Sequence, residues 1–356
     1  MKNGLTTEWL DGVPRLGWVD RPTRVTSLPA LARRLGLSYL GVKRDDECGP
    51  LMGGSKPRKL DYLLATPPWR DAPAWVSMGA IGSGHLVALA GAAERLSRSL
   101  HAHLFWEPLS AGVLDNLAFT AAHSARLSYH RSRAWLALSA PRLLVATEWA
   151  GAAVVPPGAT CAPAMAGLVR AGLELADQVR AGELPEPERV YVPLGSGGTA
   201  AGLSWGFGLG GLRTVVHAVA VVERPLSPLP WLHSLQERLA RWLASRGLTD
   251  VRLYRPVPVV IDRSQVGPGY GVATRASESA CALLSREGLG LEPVYTGKAF
   301  AALQADAAGR DRAERALFWL TARRGPLRRP VGWRDKLPGP LTRRLDRALR
   351  GLHVVE

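Results

Sequence analysis

Apolar and polar positions mark out short strand-like runs separated by segments of helical period, and the two kinds follow one another along most of the chain. Residues 28–35 carry one short helical pattern inside an entry segment broken by prolines at 14, 22 and 29. SYLGVKRDD reads as a strand running into a charged turn, and GGSKPRKLDYLLA (53–65) as a glycine turn before a helix with Leu60, Leu63 and Leu64 at helical spacing. A buried strand over 74–78, a turn of small residues over 79–84 and a helix over 85–96 make half of a βαβ unit. HAHLFWEPL is the next strand, a helical pattern occupies 116–125, and RLLVAT (142–147) reads as a strand. The proline-glycine turn in VVPPGATCAP leads into a long helix ending near ELADQV. RVYVPL, the glycine loop GSGGTAAG, the helix LSWGFGLGGL and the strand TVVHAVAVVE form a second βαβ unit. An amphipathic helix over 231–244 follows, with Leu232, Leu235, Leu239 and Leu243 on one face. No repeat of fixed period appears. This order predicts an α/β protein with largely parallel sheets flanked by helices, whose ligands lie at the C-terminal ends of strands.

A chain of 356 residues is long enough for two lobes, and 47% apolar content argues against disorder. No apolar run approaches the roughly 20 residues of a membrane span, and the opening residues lack a signal-peptide layout, so a cytoplasmic protein is expected. Cys48, Cys161 and Cys281 are far apart without Cys/His clustering, which predicts neither a disulfide framework nor a metal site. The formal charge of +15 is concentrated at one end. From Arg323 to Arg350 there are ten basic residues against Asp335 and Asp346, a net charge of +8. A packed helix with a solvated arginine face accounts for that tail; docking to an acidic partner, nucleic acid or a membrane surface is the alternative.

The chain has six lysines against 39 arginines, so chemistry that needs a lysine amine has few candidates. Lys56 is the best placed, between two flexible glycines and a helix start. GSGGTAAG (195–202), between a strand and a helix, has the features of an anion cradle: converging backbone N–H groups, the hydroxyls of Ser196 and Thr199, and the positive end of a helix dipole. A dinucleotide-binding reading is open here as well, because Glu223 ends the following strand about where a ribose-binding acid would stand. Ala200 takes the place of its last glycine. The turn at 79–84 is a second small-residue turn suited to a carboxylate.

Four segments in one order, KRDD…GGSKPRKLDYLLA, GAIGSGH, VYVPLGSGGTAAGL and GPGYG…LEPVYTGKA, resemble the pyridoxal-phosphate (PLP) enzymes of the 1-aminocyclopropane-1-carboxylate (ACC) deaminase and D-cysteine desulfhydrase family. The resemblance runs from about Leu40 to Thr321. It implies the two-lobed second fold type of PLP enzymes, related to the tryptophan synthase β subunit, a homodimer, and a cofactor in the cleft between lobes. It divides the chain into a large PLP-binding lobe (1–59 with 163–325), a small lobe (60–162) and a basic C-terminal extension (326–356). Lys56 matches the Schiff-base lysine, and Lys59 a second lysine of the motif that is not the Schiff base. Gly195, Ser196, Gly197, Gly198 and Thr199 match the phosphate loop. Ser83, Gly84, His85, Thr160 and Tyr295 fall on the substrate side, with Ser83, Tyr270 and Tyr295 as catalytic candidates beside Lys56. Thr296 stands where the deaminases have the glutamate that meets the pyridine nitrogen, and Thr321 matches a threonine that serves that nitrogen in the desulfhydrase branch. The implied reaction is α-proton removal from a small amino acid, with β-elimination or deamination to ammonia and a 2-oxo acid.

The sequence departs from the family pattern at several points. GGNK is GGSK, with Ser55 for Asn; QSNH is Gly82–Ser83–Gly84–His85, without the Asn that hydrogen-bonds the cofactor's ring hydroxyl; and HTGG is LTARR, with Arg323 and Arg324 for the glycines. The PPGGSNP-like turn is PPGATCAP, with Ala159, Thr160 and Cys161 at a substrate-side position. Two rival readings stand beside the enzyme: a degenerate member of the fold that binds or assembles through the tail, and an NAD-dependent oxidoreductase.

Overall fold

The computed structural model describes the chain apart from residues 1–3, 20–21, 51–52, 137, 140–141, 143–150, 224–228, 310–313, 324, 326 and 353–356. The expected strand over 142–147 and Arg324 therefore lie outside or at the border of the described residues. Two compact units are present, 1–66 with 159–324, and 67–158 with 325–356. These borders differ by a few residues from those read in the sequence. The stretch expected as a separate extension is grouped with the second unit, because Leu341 and Leu345 are fully buried.

In the first unit, β1 (Val25–Ser27), β2 (Tyr39–Lys43), β7 (Arg189–Leu194), β8 (Val215–Ala220), β9 (Val259–Asp262) and β10 (Arg315–Trp319) form one sheet in the order β1-β2-β10-β7-β8-β9. Only the β1–β2 pair is antiparallel. Val190, Val192 and Leu194 of β7 and Val216 and Ala218 of β8 are fully buried or nearly so, as a parallel sheet covered on both faces requires. In the second unit, β3 (Ala74–Ala80), β4 (Ser99–Phe105), β5 (Arg126–His130) and β6 (Ala153–Val154) pair in parallel in the order β5-β4-β3-β6. The pattern missed β5, a partly exposed edge strand rich in polar residues, and also β9 and β10.

Helices α1 (Pro29–Arg34), α2 (Ser55–Leu63), α3 (Gly84–Arg95) and α4 (Ala111–His123) precede the long α5 (Ala162–Arg180). Then come α6 (Gly198–Leu209), α7 (Leu229–Ser245), α8 (Arg275–Arg286), α9 (Thr296–Ala308) and α10 (Gly339–Leu352). Two glycines of α5 set the spacing that positions α2 and α6. A Cβ at Gly167 would stand 1.8 Å from the Arg58 carbonyl oxygen, and one at Gly172 would stand 2.8 Å from Gly206 Cα. Backbones at that distance leave no room for side chains, so α2 and α6 lie directly against α5.

The charged turn after β2 is buried rather than solvated. Lys43 and Asp45 are fully buried, and the Arg58 guanidinium on α2 reaches Asp45 at 2.8 Å and Glu174 of α5 at 2.8 Å. Lys43 Nζ meets the same Glu174 at 2.5 Å and donates to the Gln178 side chain. Burial alone would raise the Glu174 carboxyl, but Arg58 and then Lys43 hold it down at about 2. Trp319 of β10 adds an N–H donor to Asp45 at 2.7 Å.

On β4 and β5, His103 Nδ1 lies 2.8 Å from His130 Nε2, and His101 Nε2 lies 2.9 Å from the Ser128 hydroxyl. Burial, and then the neighbouring His101 and His130, push His103 down to about 4.

Two outcomes follow from these clusters. Glu174→Gln leaves two buried cations short of a counter-charge and should cost roughly 3–5 kcal/mol in urea unfolding; an unchanged midpoint would refute the cluster's structural weight. His103 is held neutral below its ordinary value of 6.5, so its share of stability is complete above that pH. It is lost as pH falls from 6.5 through about 4, because the unfolded ring takes up the proton first. His103→Gln should flatten the decline of the unfolding midpoint in that window.

Candidate active site

The glycine turn before α2 is forced by backbone contacts. Gly53 and Gly54 take φ of +81° and +84°, and a Cβ on them would meet the Asp46 carbonyl oxygen at 1.8 Å and the Thr321 carbonyl oxygen at 2.7 Å. The Gly54 N–H donates to Asp45 O at 2.6 Å and the Ser55 N–H to Thr321 O at 3.2 Å. The turn is thus tied to the charged segment after β2 and to the end of β10. Thr321, placed by the resemblance near the cofactor ring, stands beside this turn through its backbone.

Lys56 and Lys59 lie three residues apart on α2, which puts them on neighbouring positions of one face. Burial lowers the Lys56 amine, partly offset by the negative charge of Glu292. Lys59 is pushed down further, by burial first and then by the Lys56 charge beside it. Two amines this close in a poorly solvated place hold fewer protons than free lysines do.

The glycine loop is shorter than the sequence suggested. β7 ends at Leu194, three residues follow, and α6 begins at Gly198. Gly197, at φ +93°, is the residue before the helix, and a Cβ there would meet the Leu235 side chain at 3.1 Å. A Cβ at Gly198 would stand 3.1 Å from Thr160 Oγ1 and 3.2 Å from Lys59 Nζ. The structure therefore brings the second lysine of the motif to the N-terminus of α6. Ser196 and Thr160 hydroxyls are 2.5 Å apart, and Trp231 Nε1 donates to Ser196 O at 3.1 Å. Thr199 is the second helical residue, and the free N–H groups of this first turn complete the cradle.

Tyr295 and Tyr270 are brought together. Their hydroxyls are 2.9 Å apart, with Tyr295 donating, and their rings meet edge to face. A Cβ at Gly195 would lie 3.6 Å from the Tyr295 ring, so this tyrosine borders the loop. Glu292 is the residue that sequence reasoning passed over. Its carboxylate accepts from the backbone N–H of Val294, Tyr295 and Thr296, capping α9, while burial raises its pKa. A single acid inside the otherwise uncharged LEPVYTG was the available signal. Thr296, expected to face a ring nitrogen, instead engages its hydroxyl with Glu292 within its own turn.

In the second unit, Ser83 precedes α3 and its hydroxyl accepts from the Leu86 N–H. Gly82 N–H donates to Glu107 Oε1 at 2.6 Å, and Asn116 donates to Gly82 O. A Cβ at Gly84 would meet nothing within 4 Å, so the space of the missing Asn is open. His85 differs from expectation. Its ring is buried, and Nε2 lies 3.0 Å from Ser77 Oγ, which itself donates to Val155 O. That ring supports strand β3.

Glu223, the acid of the dinucleotide reading, accepts the Tyr270 N–H at 2.8 Å. Its carboxylate fixes the GPGYG turn, where a Cβ at Gly269 would stand 2.4 Å from Oε1. Among the described residues no group of His, Cys, Asp or Glu could hold a metal ion, and no helix is long and apolar enough to cross a membrane.

Comparison with known proteins agrees with this geometry. The family described as "Pyridoxal-phosphate dependent enzyme" matches residues 19–322. D-cysteine desulfhydrase of Salmonella typhimurium is 33% identical over 302 residues, covering 82% of this chain and 87% of the relative. A crystal structure of an ACC deaminase homologue superposes with a TM-score of 0.74 at 25% identity, covering 88% of this chain and 93% of that one. Maize serine racemase shares the fold, at a TM-score of 0.57 and 16% identity over 97% of both chains. The NAD-dependent reading is thereby overturned: the matched family is pyridoxal-phosphate dependent, and Glu223 is engaged by the Tyr270 N–H. The chain belongs to the family of pyridoxal-phosphate dependent enzymes.

Proposed function

We propose that this protein is a PLP-dependent enzyme that removes the α-proton of a small amino acid and completes a β-elimination or deamination, releasing ammonia and a 2-oxo acid. The observation that carries the proposal is the pair of lysine amines on one turn of α2, Lys59 buried and Lys56 half-buried, with Lys59 Nζ close to Gly198 at the start of α6. The residues fit the cofactor. Gly198 leaves open the space that a Cβ would fill beside Lys59 and Thr160, and a helix N-terminus with converging hydroxyls suits a phosphate. The loop Gly195–Gly198, Ser196, Thr199 and the Lys59 ammonium would hold that phosphate, and the Lys56 amine would take the aldehyde carbon. When bound, the cofactor supplies an electron sink for the charge that α-proton loss leaves behind.

The chain's own groups then divide the remaining work. Lys56, its amine pushed below the ordinary lysine value by burial, is the group placed to accept a proton and return it. Glu292 keeps that lowering moderate and orients the Tyr295 backbone at the start of α9. The Tyr295–Tyr270 pair presents phenol hydroxyls in a fixed relation beside the glycine loop, able to orient the leaving side of a substrate. On the second unit the Ser83 turn offers N–H groups to a carboxylate. The wider resemblance carries cytoplasmic residence and a homodimer into the proposal. It also carries the substrate class, for which D-cysteine is the first compound to try; ACC has no α-proton and serves as the control for a reaction that does not begin with α-proton removal.

Borohydride reduction of the PLP-loaded protein, followed by peptide mapping, should fix the label on Lys56. Lys56→Ala should remove the absorption band near the visible edge and lower ammonia release by roughly 10²–10⁴-fold. Label on another lysine, or no ammonia, sulfide or 2-oxo acid from any small amino acid, would sink the proposal. Lys59→Ala should weaken PLP by about 10–100-fold, the worth of a charge-assisted bond, while leaving the weaker affinity for pyridoxal unchanged. Equal losses for both ligands would remove Lys59 from the phosphate site.

A further inference from the structure

The last helix, which lies outside the segment matched by the family, forms one side of a cavity whose other side is Trp106, inside that segment. Helix α10 is seated on the second unit by the buried Leu341 and Leu345 and carries Arg343, Arg344 and Arg347 on exposed positions. These three arginines, with Trp106, Pro340 and Ala348, line a cavity of about 570 Å³. Trp106 directly follows β4, so the cavity lies at the C-terminal end of a strand in a parallel sheet, where α/β folds receive ligands.

Two features mark it as a place for an anion. Arg344 is held in position: its guanidinium lies 4.4 Å from the centre of the Trp106 ring, and Nη1 donates to the Tyr129 hydroxyl at 2.9 Å. Arg343 and Arg347 are four residues apart and therefore neighbours on the helix face, an arrangement of like charges that is unfavourable without a counter-charge. Among the described residues no carboxylate lines the cavity. Asp346, the one acid of α10, is paired with Arg334 at 3.3 Å. A guanidinium matches two oxygens of a phosphate at once, and Trp106, Pro340 and Ala348 offer an apolar wall. The cavity is open to solvent, and its volume falls in the range of a small-molecule site.

We propose that this cavity binds a small organic polyphosphate of the nucleotide class, its phosphates on Arg343, Arg344 and Arg347 and its ring or chain against the apolar wall. The test is calorimetric titration of the full-length, PLP-loaded protein with ATP and with inorganic triphosphate. ATP should bind saturably, at one site per chain and more tightly than triphosphate. Its affinity should fall at least tenfold in R343Q/R347Q, with the cofactor absorption band unchanged, and should weaken with added salt. Absence of saturable ATP binding, or equal affinity in R343Q/R347Q, would overturn the proposal. Triphosphate binding as tightly as ATP would overturn the role of the apolar wall. Binding of a DNA duplex or of phosphatidylserine vesicles that needs Arg343 and Arg347, without nucleotide binding, would replace the proposal with a macromolecular surface.

Discussion

Arg58 has no solvent exposure to speak of, and all three guanidinium nitrogens donate, to Asp45, Glu174 and the Thr23 hydroxyl. These partners come from three separate parts of the sequence: the turn after β2, helix α5 and the segment before β1. A charge taken out of water is tolerated only where opposite charges and hydrogen bonds meet it on every side, so the cluster admits one arrangement of those segments. Lys43, also buried, closes it by meeting Glu174 and Gln178. The hydrophobic core around Leu168, Val190 and Leu203 supplies the greater part of the driving force, but apolar contacts are not directional. The ionic cluster supplies direction.

That direction is transmitted to the candidate site through short covalent distance. Lys56 and Lys59 flank Arg58 in the sequence, so fixing the guanidinium fixes the helical turn from which both amines project. Gly53 and Gly54 tie the same turn to Asp45 and to the end of β10, and Gly167 lets α5 approach α2 to backbone contact. A few tenths of an ångström at any of these points would move an amine relative to the start of α6. Rigid support of this kind is what a reaction involving a lysine requires, because the amine must reach one carbon and one proton in turn.

The two ends of the site are charged differently. Around α2 and α6 stand a helix N-terminus and two amines, whereas Glu292 before α9 is a half-buried carboxylate held by backbone donors. Its negative charge opposes the lowering that burial imposes on the Lys56 amine. The pKa of the lysine is therefore a balance between burial and one acid, and not a property of burial alone.

The sequence by itself determined the α/β class, the parallel βαβ order and the glycine turns before α2 and α6, because strand and helix periods and glycines at forced turns are local signals; a scarcity of lysine singled out Lys56 as a candidate. It marked Ser83, Tyr270 and Tyr295 through motifs that keep their spacing. It did not show β5, where an edge strand carries polar residues, nor that KRDD is buried, since charge in a sequence reads as solvent until its partner, Glu174 for Lys43 at a separation of 131 residues, is known. Lys59 beside Gly198, Thr296 held by Glu292, and His85 turned to Ser77 depend on how distant segments pack. The same is true of the arginines of α10 around Trp106. Local periodicity fixes the element on which a side chain stands; which other elements it meets is set by long-range packing, and that only the tertiary structure decided.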